Sequence, residues 1–233
     1  MKKKVEKIKI PLEHENDTKL HKMSDITWRI FRIMAEFVDG FQFLSESEKE
    51  VTIFGSARLE PHTKWYKEAV KLGESLAKEG YIVMTGGGPG IMEAGNKGAF
   101  KVNKNLSYGL NIQLPSEQRI NRYVGKSVAF YYFFTRKVML AASSQVYIYF
   151  PGGFGTVDEF SEILTLIQTG KMQKTPIVLV GKEFWQPMVD WFEKSMAKDF
   201  KTIGPKDTKL FTVVDKAEDV MKVVRKSKER TIF

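Results

Sequence analysis

The sequence predicts an α/β fold, a doubly wound and mainly parallel sheet with helices on both faces. Two observations carry that reading. Short, continuously apolar runs ("VTIFGSA", "YIVMTGGG", "LSYGLNIQL", "SQVYIYF" and "TPIVLVG") alternate with segments of helical period. Strands apolar at successive positions are buried on both faces, which is the habit of parallel sheets covered by helices. In addition, two of the runs end in glycine-rich turns that lead directly into helices, "TGGGPGIME" at Thr85–Glu93 and "PGGFGTVDE" at Pro151–Glu159.

The elements follow in order. Residues 1–20 are polar and charged and read as a mobile basic arm. Residues 21–47 read as a helical extension, because Ile26, Ile30, Ile33, Phe37, Phe41 and Leu44 recur at helical spacing. That helix is suited to cover a sheet edge or to form a dimer surface. Residues 48–233 form the main domain. In "KWYKEAVKLGESLAKEG" Tyr66, Ala69, Val70, Leu76 and Ala77 share a face, and Gly80 stops the helix. The helix over 91–101 is lined by Ala94, Gly95, Gly98 and Ala99, which predicts close packing on the sheet. The helix from 156 carries Phe160, Ile163, Leu164 and Ile167 on one face. "PMVDWFEKSM" and "AEDVMKVVRK" read as two further helices.

Composition narrows the function. A chain of 233 residues with 42% hydrophobic content can bury a sizeable core. The absence of cysteine excludes disulfides, thiolate metal sites and a cysteine nucleophile. No stretch approaches the ~18 apolar residues of a membrane span, so a cytoplasmic protein without membrane partners is expected. The net charge of +9 suggests nucleic acid, but the first nine residues alone hold five lysines and one glutamate. Charge gathered in an arm argues for a small anionic ligand rather than nucleic acid as partner.

The chemistry gathers in three loops at strand carboxyl ends: Gly55–Arg58, Thr85–Gly90 and Pro151–Thr156. Glycine lets backbone N–H groups approach a phosphate, and the following helix points its positive end there. Neither turn is a standard nucleotide fingerprint. A Walker A loop would need glycine where Ile120 stands, and GxGxxG would need it at Ile91 or Glu93. "TGGGPG" is therefore either a ligand turn or a tight crossover. "TVDE" reads first as a capping box, with Thr156 and Glu159 satisfying free helix amides, and second as a catalytic segment. Thr135 looks like an N-cap, which places Arg136 and Lys137 in a first helical turn, where cations oppose the dipole unless an anion is near. Lys137 reads as extending into water. His14, His21 and His62 form no metal-ligand spacing, and no Ser-His-Asp set is visible.

"PGGFGTVDE", "TGGGPGIMEAGNKGA", "GSAR" and "FFTRK", in this order-specific set, resemble the signature blocks of the Lonely Guy family of nucleotide phosphoribohydrolases. The resemblance spans about residues 50–215. It implies a Rossmann-like fold, at least a homodimer, and hydrolysis of the N-glycosidic bond of an adenine-type nucleoside 5′-monophosphate, cytokinin nucleotides being the best-known substrates. It assigns Arg136 and Glu159 as catalytic. Substrate contacts are expected from Gly55, Ser56, Gly87, Gly88, Gly90, Glu93, Lys137, Gly152, Gly153, Gly155 and Thr156, with Glu93 near a ribose hydroxyl and no metal or organic cofactor. The N-terminal extension and the aromatic run before Arg136 look like a longer bacterial branch. Many relatives carry a lysine decarboxylase label, yet nothing in the sequence supports a pyridoxal-phosphate site. The alternative is a sensor or carrier of the same fold that binds nucleotides without cleaving them.

Overall fold

The structure, a computed structural model, describes residues 19–113 and 120–229. The expected arm therefore lies outside the described residues apart from Lys19 and Leu20, which already belong to the first helix, α1 (Lys19–Ser45). Seven parallel strands form one sheet: β1 (Glu50–Phe54), β2 (Ile82–Thr85), β3 (Ser107–Ile112), β4 (Lys126–Phe130), β5 (Val146–Tyr149), β6 (Ile177–Val180) and β7 (Phe211–Val214), in the order β4-β3-β2-β1-β5-β6-β7. The central strand β1 pairs Val51 with Val83 on one side and with Val146 on the other. The chain winds outward from β1 to β4, returns beside β1 as β5, and winds outward again to β7. Connections leave β1 and β5 in opposite directions, which opens a crevice at their carboxyl ends.

Period-two alternation in the strands builds two cores. Val51 and Ile53 join one face, under α2 (Lys64–Lys78), α3 (Ile91–Val102) and α7 (Ala217–Val224). Phe54, Met84, Leu110, Tyr147 and Tyr149 join the other, under α4 (Phe133–Ala142), α5 (Phe154–Gln168) and α6 (Lys182–Trp191). This is the Rossmann-like α/β architecture that the sequence predicts. β4 and β7 carry no continuous apolar run and were not expected. β4 is an edge strand whose first two residues are exposed.

Two details revise the expected packing. The small residues of α3 serve the α2 contact as much as the sheet. A Cβ on Gly98 would lie 2.1 Å from the Val70 carbonyl oxygen, whereas one on Gly95 meets Ile53 of β1 at 3.2 Å. The second concerns α1, which packs on α4 and the β4 edge. Ile33, Phe37, Phe43 and Leu44 are half-buried there, and Gly40 is buried against Met139 and Phe130. Ile26, Ile30 and Phe41 of the expected apolar face are exposed instead, and with Phe31, Met34 and Val38 they leave a second apolar stripe uncovered within this chain. No helix among the described residues is long and apolar enough to cross a membrane.

Candidate active site

The three chemistry-bearing loops are stitched together through their backbones. The Phe150 N–H donates to the Phe54 carbonyl at 2.9 Å, Ser56 N–H to Pro151 at 3.0 Å, and Ile91 N–H to Ser56 at 3.0 Å. Glycines permit this approach. Gly90 has φ +68°, and a Cβ there would stand 2.2 Å from the Ser56 carbonyl oxygen. Between these loops and α4 opens a cleft of about 1040 Å³. Of the expected site residues, Gly55, Ser56, Arg136, Gly152, Gly153, Gly155, Thr156 and Glu159 line it, whereas Gly87, Gly88, Gly90, Glu93 and Lys137 do not.

The α5 end of the cleft corrects the capping-box reading. The helix begins at Phe154 with Gly153 as N-cap, and no side chain caps it. Thr156 and Val157 already donate to the Gly153 carbonyl at 3.0 and 3.1 Å. Glycine is an accepted N-cap, so the helix starts before the threonine and carries Glu159 nearly two turns inside. Thr156 instead packs on Gly152, where a Cβ would meet its Oγ1 at 2.1 Å. Gly153 and Gly155 differ from Gly152: neither has a positive φ, and nothing lies within 4 Å of a Cβ built on either. The first amides of a helix lack partners within it, and here Phe154 and Gly155 border the cleft.

The α4 wall carries Arg136. The helix starts at Phe133, two residues before the expected cap, and Thr135 lies buried inside its first turn. A long-range contact sits at this end: the N-cap is Tyr132, and the carboxylate of Glu36 on α1 accepts from the N–H groups of Tyr131 and Tyr132. Arg136 is 8% exposed and donates from Nε to the Leu110 carbonyl at 2.8 Å. Gly86 makes room for it, since a Cβ on Gly86 would stand 2.4 Å from an Arg136 guanidinium nitrogen. Burial lowers the Arg136 pKa from its ordinary value, and the charge of Glu159 opposes that effect. Sequence reasoning missed Gly86, the first glycine of its triplet, and selected the later ones. Gly87 faces the Asn111 side chain, and the carbonyls of Gly87 and Gly88 accept from Asn121.

Glu159 is 7% exposed and its carboxyl opens on the cleft. Burial pushes its pKa up to about 7, Glu162 adds to the rise, and Arg136 and Lys137 counter it. Arg136 and Glu159 thus feel one another's charge without forming a direct ion pair, which leaves the carboxylate free for a reacting group. Lys137 neither extends into water nor enters the cleft. It is half-buried and pairs with Asp158 at 2.9 Å and Glu162 at 3.3 Å. Glu93 accepts a hydrogen bond from the Tyr66 hydroxyl at 2.9 Å, away from the cleft. Trp65, Phe133, Phe154 and Phe184 give the cleft an aromatic rim, and Phe154 is 96% exposed. Among the described residues no lysine lines the cleft, so its residues do not fit pyridoxal phosphate, which is held through a lysine Schiff base.

The chain is similar to several known proteins. Residues 92–224 match a family model described as "possible lysine decarboxylase". The cytokinin riboside 5′-monophosphate phosphoribohydrolase LOG1 of Arabidopsis thaliana is 23% identical over 75% of this chain and 81% of its own length. An uncharacterized protein of Archaeoglobus fulgidus is 29% identical over 59% of this chain and 87% of its own. Among solved structures, the molybdenum cofactor binding protein of Rippkaea orientalis superposes with a TM-score of 0.55 at 21% identity, over 76% of this chain and 93% of that one. That likeness is one of fold.

Proposed function

The chain belongs to the family described as "possible lysine decarboxylase", the Lonely Guy family, and on that premise we propose that it hydrolyses the N-glycosidic bond of a purine nucleoside 5′-monophosphate, giving free base and ribose 5-phosphate. The observation that carries this reading is the pairing of Glu159 and Arg136, both buried, on the floor of one cleft beside the open start of α5.

The 5′-phosphate sits against the amides of Gly153, Phe154 and Gly155 and the Thr156 hydroxyl, where the α5 dipole favours an anion. Cleavage builds positive charge on the ribose ring, and the ionised Glu159 stabilises it. A water oxygen attacks C1′ and gives its proton to Glu159, while the C1′–N bond breaks with its electron pair moving to the base. Arg136 stabilises the charge developing on the departing base. Its guanidinium holds its protons too tightly to donate one, so a water protonates the base and the hydroxide left behind takes back the proton held by Glu159. The relatives' printed names give cytokinin riboside 5′-monophosphate as their substrate, and an adenine-type base, prenylated or not, is what the family resemblance implies here. A homodimer belongs to the same proposal and is supported by the uncovered stripe on α1.

The test is chromatographic. Purified protein is incubated with a panel of nucleoside monophosphates that includes prenylated AMP, beside a Glu159→Gln control. Base released by the wild type and not by the variant is the expected result. AMP bound without release by any panel member overturns hydrolysis in favour of a nucleotide-binding sensor or carrier.

A further inference from the structure

α4 takes its N-terminal cap from a residue 95 to 99 positions earlier in the chain. Glu36 Oε1 accepts from the Tyr131 N–H at 2.7 Å. Its Oε2 accepts from the Tyr132 N–H at 3.3 Å and lies 2.5 Å from the Thr135 hydroxyl. One turn further along α1, Gly40 lets the helix sit directly on α4: a Cβ there would stand 2.5 Å from the Met139 sulfur. One turn earlier, the Arg32 guanidinium lies 4.1 Å over the Tyr131 ring. Three consecutive turns of the N-terminal extension therefore touch α4 and the residues that lead into it.

Arg136 hangs from the capped segment. Its N–H donates to the carbonyl of Tyr132, the residue whose own N–H Glu36 holds. Its guanidinium is fixed at the far end by the Leu110 carbonyl. A cation in a first helical turn opposes the dipole, and a carboxylate at the same end offsets that opposition. Lys137 has Asp158 and Glu162 for this purpose, whereas Arg136 makes no ion pair among the described residues.

We propose that Glu36 is a positioning residue for the reaction: through the cap it supplies to α4, it fixes where the Arg136 guanidinium meets the leaving base. The inference rests on the hydrolase reading, and it makes the N-terminal extension part of the working site. A cap that served stability alone would lower the melting temperature and leave the turnover of each folded molecule unchanged.

A double-mutant cycle on the full chain, run where every variant is folded, separates the two cases. Glu36→Ala lowers kcat about tenfold, the usual cost of a lost cap felt in the transition state. KM changes by less than about twofold, because α5 holds the phosphate. Glu36→Gln keeps the shape and one acceptor and falls between, which preserves a readout should the alanine variant unfold. In an Arg136→Ala background, Glu36→Ala costs less than about twofold more, since its effect passes through the arginine. Equal losses in both backgrounds, or a lower melting temperature with unchanged kcat, overturn the proposal while hydrolysis stands. If the wild type binds AMP but releases no base, hydrolysis fails and the same cycle is read as AMP affinity. Additive losses there overturn the role of Glu36. Neither turnover nor binding removes the functional reading and this inference with it.

Discussion

Replacing Glu159 by glutamine tests the central feature of the site in two independent ways. The carboxyl is raised from 4.5 to about 7, mainly by burial. A group with a raised folded-state pKa binds protons more tightly when folded, so its ionisation opposes folding. The penalty is absent below about pH 4.5, grows as pH rises through the window, and is complete above about 7. At about 1.36 kcal/mol for each tenfold in proton affinity, the full penalty is about 3 kcal/mol. Glutamine has the same shape and never ionises. Urea unfolding of both proteins from pH 5 to 8.5 should show little difference at the acid end. The variant should then gain stability over the wild type, towards about 3 kcal/mol at the alkaline end. Its turnover should collapse meanwhile, and wild-type kcat/KM should climb with a single-proton limb near pH 7. A variant that is less stable than the wild type, or equally stable at every pH, would refute the buried-carboxylate argument. A flat wild-type pH–rate profile between 5 and 8.5 would refute Glu159 as the group that must ionise.

Other perturbations separate the walls of the cleft. Arg136→Ala should keep the fold and cut kcat by about a hundredfold or more, as removal of a charge-stabilising donor does; steady-state kinetics beside a circular-dichroism melt checks both halves. Gly155→Ala should raise the melting temperature slightly, because nothing stands within 4 Å of the new Cβ and alanine is about 0.5–1 kcal/mol better than glycine in a helix. The same variant should bind ribose 5-phosphate more weakly in calorimetry, and unchanged binding would move the phosphate away from α5. Gly152→Ala should lose stability, since its Cβ would meet Thr156 Oγ1 at 2.1 Å. Met34→Glu together with Val38→Glu should convert a dimer to a monomer in light scattering, and a dimer that survives would place the subunit contact elsewhere.

The strands beneath the motifs can be read directly, because each is a mainly apolar run that leads into a glycine-bearing turn. β4 cannot, because an edge strand needs no continuous run: Lys126 and Ser127 stand exposed where a central strand would have apolar residues. Helical spacing predicts α5 but starts it at Thr156, two residues after its observed start at Phe154. Thr156 and Glu159 fit the spacing of a capping box, and spacing carries no record that Gly153 has already served as cap. The start of α4 was misplaced for a different reason. Thr135 is the residue type that caps locally, but Glu36 holds the amides just ahead of it across roughly a hundred residues, and contacts of that range leave no periodic trace. Four ordered signature blocks did place Arg136 and Glu159, which the fold then brings to one cleft from two helices.

The two glycine turns raise a final point about how such a site is built. They follow β2 and β5, the two strands that flank β1, and both lead into helices, which suggests two backbone cradles facing each other. The structure divides the labour differently. After β5, glycines at 153 and 155 leave the backbone bare at a helix start, and no described neighbour requires their smallness. After β2, three of the four glycines answer to a neighbour in the chain: Gly86 to Arg136, Gly87 to Asn111 and Gly90 to Ser56. The first turn therefore acts on the cleft through a side chain, by clearing space for a buried cation, whereas the second offers its own amides. An alanine at Gly86 should accordingly behave like a mild Arg136 variant, lowering kcat with little change in phosphate affinity. Weakened phosphate binding with intact kcat would restore the picture of two backbone walls.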